Sequence, residues 1–369
     1  MASPSPRVPP VTRARRADRG VVGMRGVYTG ARRGATRRGG GPGPGPPFAI
    51  VGIRIMPDER PAIDSVTRLP GASAASAVGR PPRWHAHPYN RAEFYRLAAL
   101  LAWLPRPSRL ALARRLAGVA PRLLPIERAV VRRTLQQVTG AAGPRLDGLI
   151  QATFRDFAMC FSDLVSTNRR PPERLEAQVA SVTGGEWLQG LEGGVVSLTA
   201  HVGNWEMAGR LLARHTARPT HVVVAEEEAR ELERWVRREG DGVRFVTRSR
   251  PTVSLDLVAA LRRGEVVAIQ GDRALGNRGD RLVPFFDCPA PFPTGPFVLA
   301  GATGVPIVLA FCLLRPDHRY AVTVLPPLRV TRGQEEEAAR TWVTALEAIV
   351  RAHPTQWFNF FDVWSPFGP

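Results

Sequence analysis

The residues best placed to do chemistry in this chain are His201-Val-Gly-Asn-Trp-Glu206. They follow a short β-like run, Val195–Thr199, and precede a helical pattern. That is where α/β proteins hold reactive groups, just past the carboxyl end of a buried strand. Asn204 is suited to cap a helix that begins at Trp205, which puts Glu206 in the first turn, where the helix dipole favours an anion. Five residues of continuous helix turn through about 140°, so His201 and Glu206 cannot meet on one helix face. With His201 in the preceding turn, and Gly203 allowing that turn, the chain can curl to bring imidazole and carboxylate together. A carboxylate so placed fixes the tautomer of the ring and stabilises the imidazolium when its other nitrogen takes a proton. The expectation is therefore a general base, His201, oriented by Glu206.

The elements around this segment read as α/β. Strand-like runs at Thr220–Val224, Val243–Val246, Glu265–Gln270, Val305–Leu314 and Tyr320–Leu325 alternate with helical stretches at Ala225–Arg238, Val253–Arg263 and Phe297–Thr303. Such alternation predicts a mainly parallel central sheet flanked by helices. Arg315–Arg319 is short enough to join the last two strands as an antiparallel hairpin. Helices are expected at Leu123–Val138 and Arg145–Leu164, and a final amphipathic helix at about Gln334–His353 ends before Pro354.

Composition narrows the function classes. The chain has 369 residues and a net charge of +19, and all 51 basic residues are arginine. That length can bury a sizeable core without disulfides or metals. Three widely separated cysteines, Cys160, Cys288 and Cys312, give neither a disulfide framework nor a CxxC zinc site. No metal and no cofactor is expected. Residues 1–60 hold 12 arginines against 3 acidic residues and include the run GGGPGPGPP. Without apolar periodicity, residues 1–88 read as a disordered Arg/Gly/Pro-rich tail. It is either an arm for RNA or anionic lipid or a plain extension, with Met24 and Met56 as alternative starts. No apolar core of secretory type follows the arginines.

The run Leu97–Leu104 is stopped by Pro105 and is far shorter than the roughly 20 residues that span a bilayer. Phe94, Leu97, Ala98, Leu101 and Leu104 lie on one face, with Arg91, Arg96, Arg106 and Arg109 at its edges. That pattern suits a helix lying in the headgroup zone of a membrane, and equally a helix facing the core.

HVGNWEMAG after VSLTA resembles the HxxxxD/E block of the lysophospholipid acyltransferase superfamily. More narrowly, it is similar to the bacterial lipid A late acyltransferase family and to relatives that acylate phosphatidylinositol mannosides. Three later blocks line up in the same order: EVVAIQGDRALG at Glu265–Gly276, LVPFFDCPAPFPTGPFVLAGATGVPIV at Leu282–Val308 and PTQWFNFFDVW at Pro354–Trp364. The resemblance covers about Glu93 to Trp364. It implies a glycerol-3-phosphate acyltransferase-like fold over residues 89–369, with 89–125 as a membrane-interfacial helical region.

The resemblance makes His201 the catalytic histidine and Glu206 its acidic partner. Asp272 matches an acidic position needed in relatives, with Arg273 beside it; the two either bind the acceptor head group or brace the histidine loop. Arg234, Arg237 and Arg238 compete for a further functional position, with Arg238 preferred. The implied reaction moves a fatty acyl group from an acyl carrier protein or coenzyme A thioester to a hydroxyl of a membrane lipid or glycolipid. The oxyanion would be held by backbone N–H groups near Gly203 or by an arginine. The implied location is the cytoplasmic face of the inner (plasma) membrane, peripheral or monotopic, and no nucleic-acid partner is expected. Two other classes remain open at this point: a hydrolase using the same His and Glu on water, and a basic-tailed protein that binds membrane or nucleic acid. Cys288 and the run Gly276–Gly279 read as filler and a plain turn. Trp357, Phe358, Phe360, Phe361 and Trp364 read as a packed lid over the sheet or a membrane-facing edge.

Overall fold

The computed structural model describes residues 100–167, 172–224, 242–276 and 279–365. The tail 1–88, the first part of the interfacial segment, the helix expected at 225–238 with Arg238, and Asn277 and Arg278 lie outside the described residues. Among those described, three helices come first: α1 (Arg106–Leu123), α2 (Pro125–Thr139) and α3 (Gly143–Thr167), followed by the short α4 (Pro172–Glu176). Then come β1 (Val179–Thr183), α5 (Glu186–Gln189), β2 (Val195–Thr199), α6 (Trp205–Thr216), β3 (Thr220–Val224), β4 (Val243–Thr247), α7 (Val253–Arg262) and β5 (Val266–Gln270). The chain continues through β6 (Asp280–Phe285), β7 (Cys288–Pro293), α8 (Gly295–Thr303), β8 (Ile307–Leu314), β9 (Tyr320–Val324) and α9 (Glu335–Ala352), and ends in a 3₁₀ turn at Pro354–Gln356.

Seven strands form one sheet in the order β1-β9-β8-β2-β5-β3-β4. The five from β8 to β4 run parallel, and β9 turns back antiparallel to β8 as the short RPDHR connection predicts. β1 pairs parallel with β9 at the edge. This is the mainly parallel, helix-flanked α/β architecture expected from the alternation of runs.

The central strands are apolar throughout because both faces of the sheet are covered. In β8 (IVLAFCLL) all eight residues are buried. Ile307, Leu309, Phe311 and Leu313 pack with residues of α7, α8 and α9, among them Leu257, Phe297 and Trp342. Val308, Ala310, Cys312 and Leu314 pack on the other face with residues of α2, α3 and α6, such as Leu135, Phe154 and Met207. That two-residue alternation is the pleat dividing one core into two layers. Burial raises the thiol pKa of both Cys160 and Cys312, which leaves neither as a nucleophile.

The helical layer is tied to the sheet by a buried charge cluster. Asp163 of α3 accepts from Arg106 (2.7 Å), from Arg109 (2.5 Å) and from the hydroxyl of Tyr320 on β9 (2.9 Å). Arg109, read from the sequence as an edge residue of an interfacial face, is buried against this carboxylate.

The Pro-rich stretch around Cys288 forms a two-stranded hairpin, β6–β7, rather than a loop. Pro289, Pro291 and Pro293 alternate along β7, so their missing N–H positions all point to the same side. Ala290 and Phe292 between them are buried in the core, as is Phe297. Gln137 of α2 donates to the Phe286 carbonyl (2.8 Å) and to Cys288 Sγ (3.3 Å), which docks the hairpin turn on the helical layer.

Candidate active site

Strands β2 and β5 are adjacent and in register, with Thr199 opposite Gln270. Each chain then leaves the sheet at the same edge, and two residues further on stand His201 and Asp272. Parallel pairing thus carries two groups 71 positions apart in sequence into contact. Asp272 Oδ1 lies 2.7 Å from His201 Nδ1, and Oδ2 accepts the His201 backbone N–H at 3.0 Å. One carboxylate therefore holds both the ring and the backbone of the histidine.

The turn that carries His201 is forced by its neighbours. Gly203 has φ +59°, and a Cβ there would sit 2.0 Å from the Cys312 carbonyl oxygen, so only glycine passes so close to β8. Asn204 caps α6 as expected, its Oδ1 accepting the Met207 N–H at 3.1 Å. Three peptide N–H groups of this turn are engaged within the protein. Val202 N–H goes to Ala200 O (2.7 Å), Gly203 N–H to Gln356 O (2.9 Å) and Asn204 N–H to Cys312 O (2.8 Å). Those three N–H groups are thus taken up by the turn itself, the C-terminal segment and β8.

The carboxylate on Nδ1 is Asp272 and not Glu206. Glu206 lies half-buried in the first turn of α6. Of the two roles left open for Asp272, its contacts are those of bracing the histidine. Arg273, the next residue, donates to Asn359 Oδ1 (3.1 Å) and to the Phe358 carbonyl (3.1 Å), with its guanidinium over the Phe361 ring.

Electrostatics complete the arrangement. Asp272 has no exposed side-chain surface, while His201 keeps 15% of its own. Burial alone would push the Asp272 pKa up, since it penalises the charged form. The imidazole charge and hydrogen bond of His201, the nearby Arg273 and the His201 N–H outweigh that and hold Asp272 well below the usual carboxylate range. An ionised carboxylate only accepts, so Nδ1 carries the proton and Nε2 presents the lone pair. The Trp205 ring lies edge-on to the imidazole at 5.0 Å and helps fix its plane.

Residues missing from the sequence-based site come from the last described segment. Trp357 Nε1 donates to Asp272 Oδ2 at 3.0 Å and Asn359 Nδ2 at 3.4 Å, while Phe358 N–H donates to His201 O at 2.8 Å. Trp357, Phe358, Phe360 and Phe361 are buried, so this aromatic run packs rather than faces a membrane. The available signal was the block PTQWFNFFDVW, which holds both donors, but their aim depends on tertiary placement.

A solvent-touched imidazole on the carboxyl edge of a parallel sheet, backed by a buried carboxylate, is an arrangement able to take up a proton at Nε2. The chain belongs to the bacterial lipid A biosynthesis acyltransferase family, whose model matches residues 94–365. It is an O-acyltransferase, which sets aside the reading as a binding protein. It is similar to the phosphatidylinositol mannoside acyltransferases of two Mycobacterium tuberculosis strains, CDC 1551 / Oshkosh and H37Rv. Identity to each is 28% over 250 residues, or 63% of this chain and 76% of the relative. Among solved structures, the 1-acyl-sn-glycerophosphate acyltransferase PlsC from Thermotoga maritima aligns over 67% of this chain and 98% of its own. Its TM-score is 0.33 and its identity 15%.

Proposed function

We propose that this enzyme transfers a fatty acyl group from an acyl carrier protein or coenzyme A thioester to a hydroxyl of a membrane glycolipid. The work is done at the cytoplasmic face of the plasma membrane. The observation that carries this reading is the 2.7 Å contact between His201 Nδ1 and the ionised, buried Asp272. His201 Nε2 takes the proton of the acceptor hydroxyl as its oxygen attacks the thioester carbonyl. The C–O bond forms, the C–S bond breaks, and the departing thiolate receives the proton from the imidazolium. Asp272 compensates the positive ring during the step, a role the sequence assigned to Glu206. A thioester is already activated, so no acyl-enzyme is required. Glu206 and Asn204 support the turn and the start of α6, and Arg238 is a candidate for binding substrate.

The family and its mycobacterial relatives support an acyltransferase with a glycolipid acceptor rather than a hydrolase. The purified protein is tested with a labelled acyl thioester and phosphatidylinositol mannosides or lipid A precursors, with products read by mass spectrometry. Acylated glycolipid with little free fatty acid is the expected result. Free fatty acid formed at one rate with and without acceptor overturns the proposal in favour of hydrolysis.

Membrane attachment in this reading is peripheral. No helix among the described residues is long and apolar enough to cross a membrane. Helix α1 carries no acidic residue and points Leu116, Val119 and Leu123 outward along one stripe, with Arg115 and Arg122 beside it. Leu123 is 74% exposed, and Ile126 at the start of α2 is 73% exposed. An exposed apolar stripe edged by arginine matches the boundary between acyl chains and anionic headgroups. Leu123→Glu with Ile126→Glu is expected to weaken sedimentation with phosphatidylglycerol vesicles about tenfold or more, the work of burying two aliphatic side chains being lost. Unchanged sedimentation removes α1 from the proposed membrane face.

A further inference from the structure

We propose that Trp357 and Asn359 are positioning residues for catalysis, setting the charge and orientation of Asp272 and, through it, the basicity of His201. The inference rests on the reading of His201 as the general base.

Asp272 Oδ2 receives three N–H groups, from His201 N (3.0 Å), Trp357 Nε1 (3.0 Å) and Asn359 Nδ2 (3.4 Å). With Oδ2 so occupied, Oδ1 is turned to the imidazole. Two of the three donors come from a segment 85 and 87 residues downstream of the carboxylate. Both are nearly sealed from solvent, Trp357 at 3% and Asn359 at 2% exposure.

Neither donor is free to turn away. Arg273 Nε donates to Asn359 Oδ1 at 3.1 Å, and because that oxygen accepts, the amide must present its Nδ2 to Asp272. The Trp357 indole is held edge-on against Phe285 at 5.3 Å and against Trp364 at 6.5 Å. Its backbone bridges Val202, one residue from the histidine. Gln356 fixes the other end of the segment, its side chain bonding both N–H and C=O of Leu314 (2.8 and 2.7 Å) while its carbonyl takes the Gly203 N–H. Residues 356–359 thus touch the turn of His201 and the carboxylate behind it at once.

The His201 imidazole and the Arg273 guanidinium both act on the Asp272 charge, and Glu206 stands in the first turn of the helix after His201. An N–H donor on Oδ2 draws negative charge away from the oxygen that faces Nδ1. Removing it leaves a more negative carboxylate, which stabilises the imidazolium and raises the pKa of the base.

The test compares Trp357→Phe, which keeps the aromatic packing but lacks the donor, with Asn359→Leu and with Trp364→Phe. Trp364 donates to the Phe285 carbonyl (3.1 Å) in the same aromatic layer and serves as the packing control. Trp357→Phe is expected to lower kcat about tenfold with KM for thioester and acceptor little changed, the loss typical of a hydrogen bond to a charged group. The acid limb of kcat/KM against pH moves to higher pH in Trp357→Phe and in Asn359→Leu, and stays in place in Trp364→Phe. A merely structural role would lower the thermal midpoint and leave that limb where it is. If Trp357→Phe does not fold, Asn359→Leu decides the matter alone. An unmoved acid limb in the folded variants, or an equal shift in Trp364→Phe, overturns the proposal. Activity surviving in His201→Asn is a different failure, that of the general-base reading itself.

Discussion

His201→Asn is expected to lower acyl transfer by about 10²- to 10⁴-fold, the contribution typical of a positioned general base, while the protein stays folded. Asparagine is the informative choice because its Nδ2 falls near the place of the imidazole Nδ1. It can still donate to Asp272 Oδ1, now met by the ring at 2.7 Å, but it has no group at the position of Nε2. Alanine removes base and donor together. Asp272 has no exposed side-chain surface, so the alanine variant leaves a buried charge short of one partner and loses stability as well as activity. Comparing the two separates chemistry from folding. Thermal unfolding followed by circular dichroism, beside a thioester-release assay with acceptor, gives both readouts. Transfer by His201→Asn within tenfold of the native rate would show that the proton goes elsewhere.

Asp272→Asn has the second large effect, a fall in kcat of about 10² or more with the binding of both substrates retained. The carboxamide fails in either orientation. With its oxygen toward Trp357 Nε1, Asn359 Nδ2 and the His201 N–H, its NH₂ faces Nδ1; the ring then accepts at Nδ1, carries its proton on Nε2 and cannot take another from the acceptor. Turned the other way, three N–H donors meet an NH₂ group that accepts from none. The stability profile changes too. The folded pKa of Asp272 lies below its unfolded value, so the group stabilises the native state above an unfolded pKa of about 3.9. That stabilisation is lost as pH falls through the lower, folded value. Asp272→Asn is therefore less stable than the native protein at neutral pH, and the gap narrows on acidification below about pH 4. A constant gap across that range would mean that the depressed pKa is not the source.

The local part of this site was legible from the sequence. A buried five-residue run, a glycine in the turn, an asparagine cap and an amphipathic helix are short-range features, so β2, the turn of His201 and α6 fall where their residues predict. The same holds for β3, whose bounds are those predicted, and for the β8–β9 hairpin. The Pro-rich hairpin β6–β7 was not legible, because turn-forming residues dominate its composition and its pairing shows only when the alternation of the prolines is set against a partner strand. Edge strand β1 escaped notice for a related reason, being half exposed and paired only with β9, which lies far along the chain.

The chemistry divides in the same way. His201 can be picked from its own neighbourhood, since what exposes it is the end of a strand and the start of a helix. Its partner cannot. Glu206 is close in sequence, whereas Asp272, which meets Nδ1, is distant in sequence and adjacent in space because β2 and β5 pair in register. Trp357 and Asn359 arrive through a further long-range step, the return of the C-terminal segment across the carboxyl edge of the sheet. The four blocks of residues thus carried the resemblance to the family, while local spacing and hydropathy specified the α/β alternation and singled out the imidazole of His201. Which carboxylate holds that imidazole, and what holds the carboxylate, depended on the order in which strands associate, a choice made by burial of the whole apolar surface and not by any one stretch of chain.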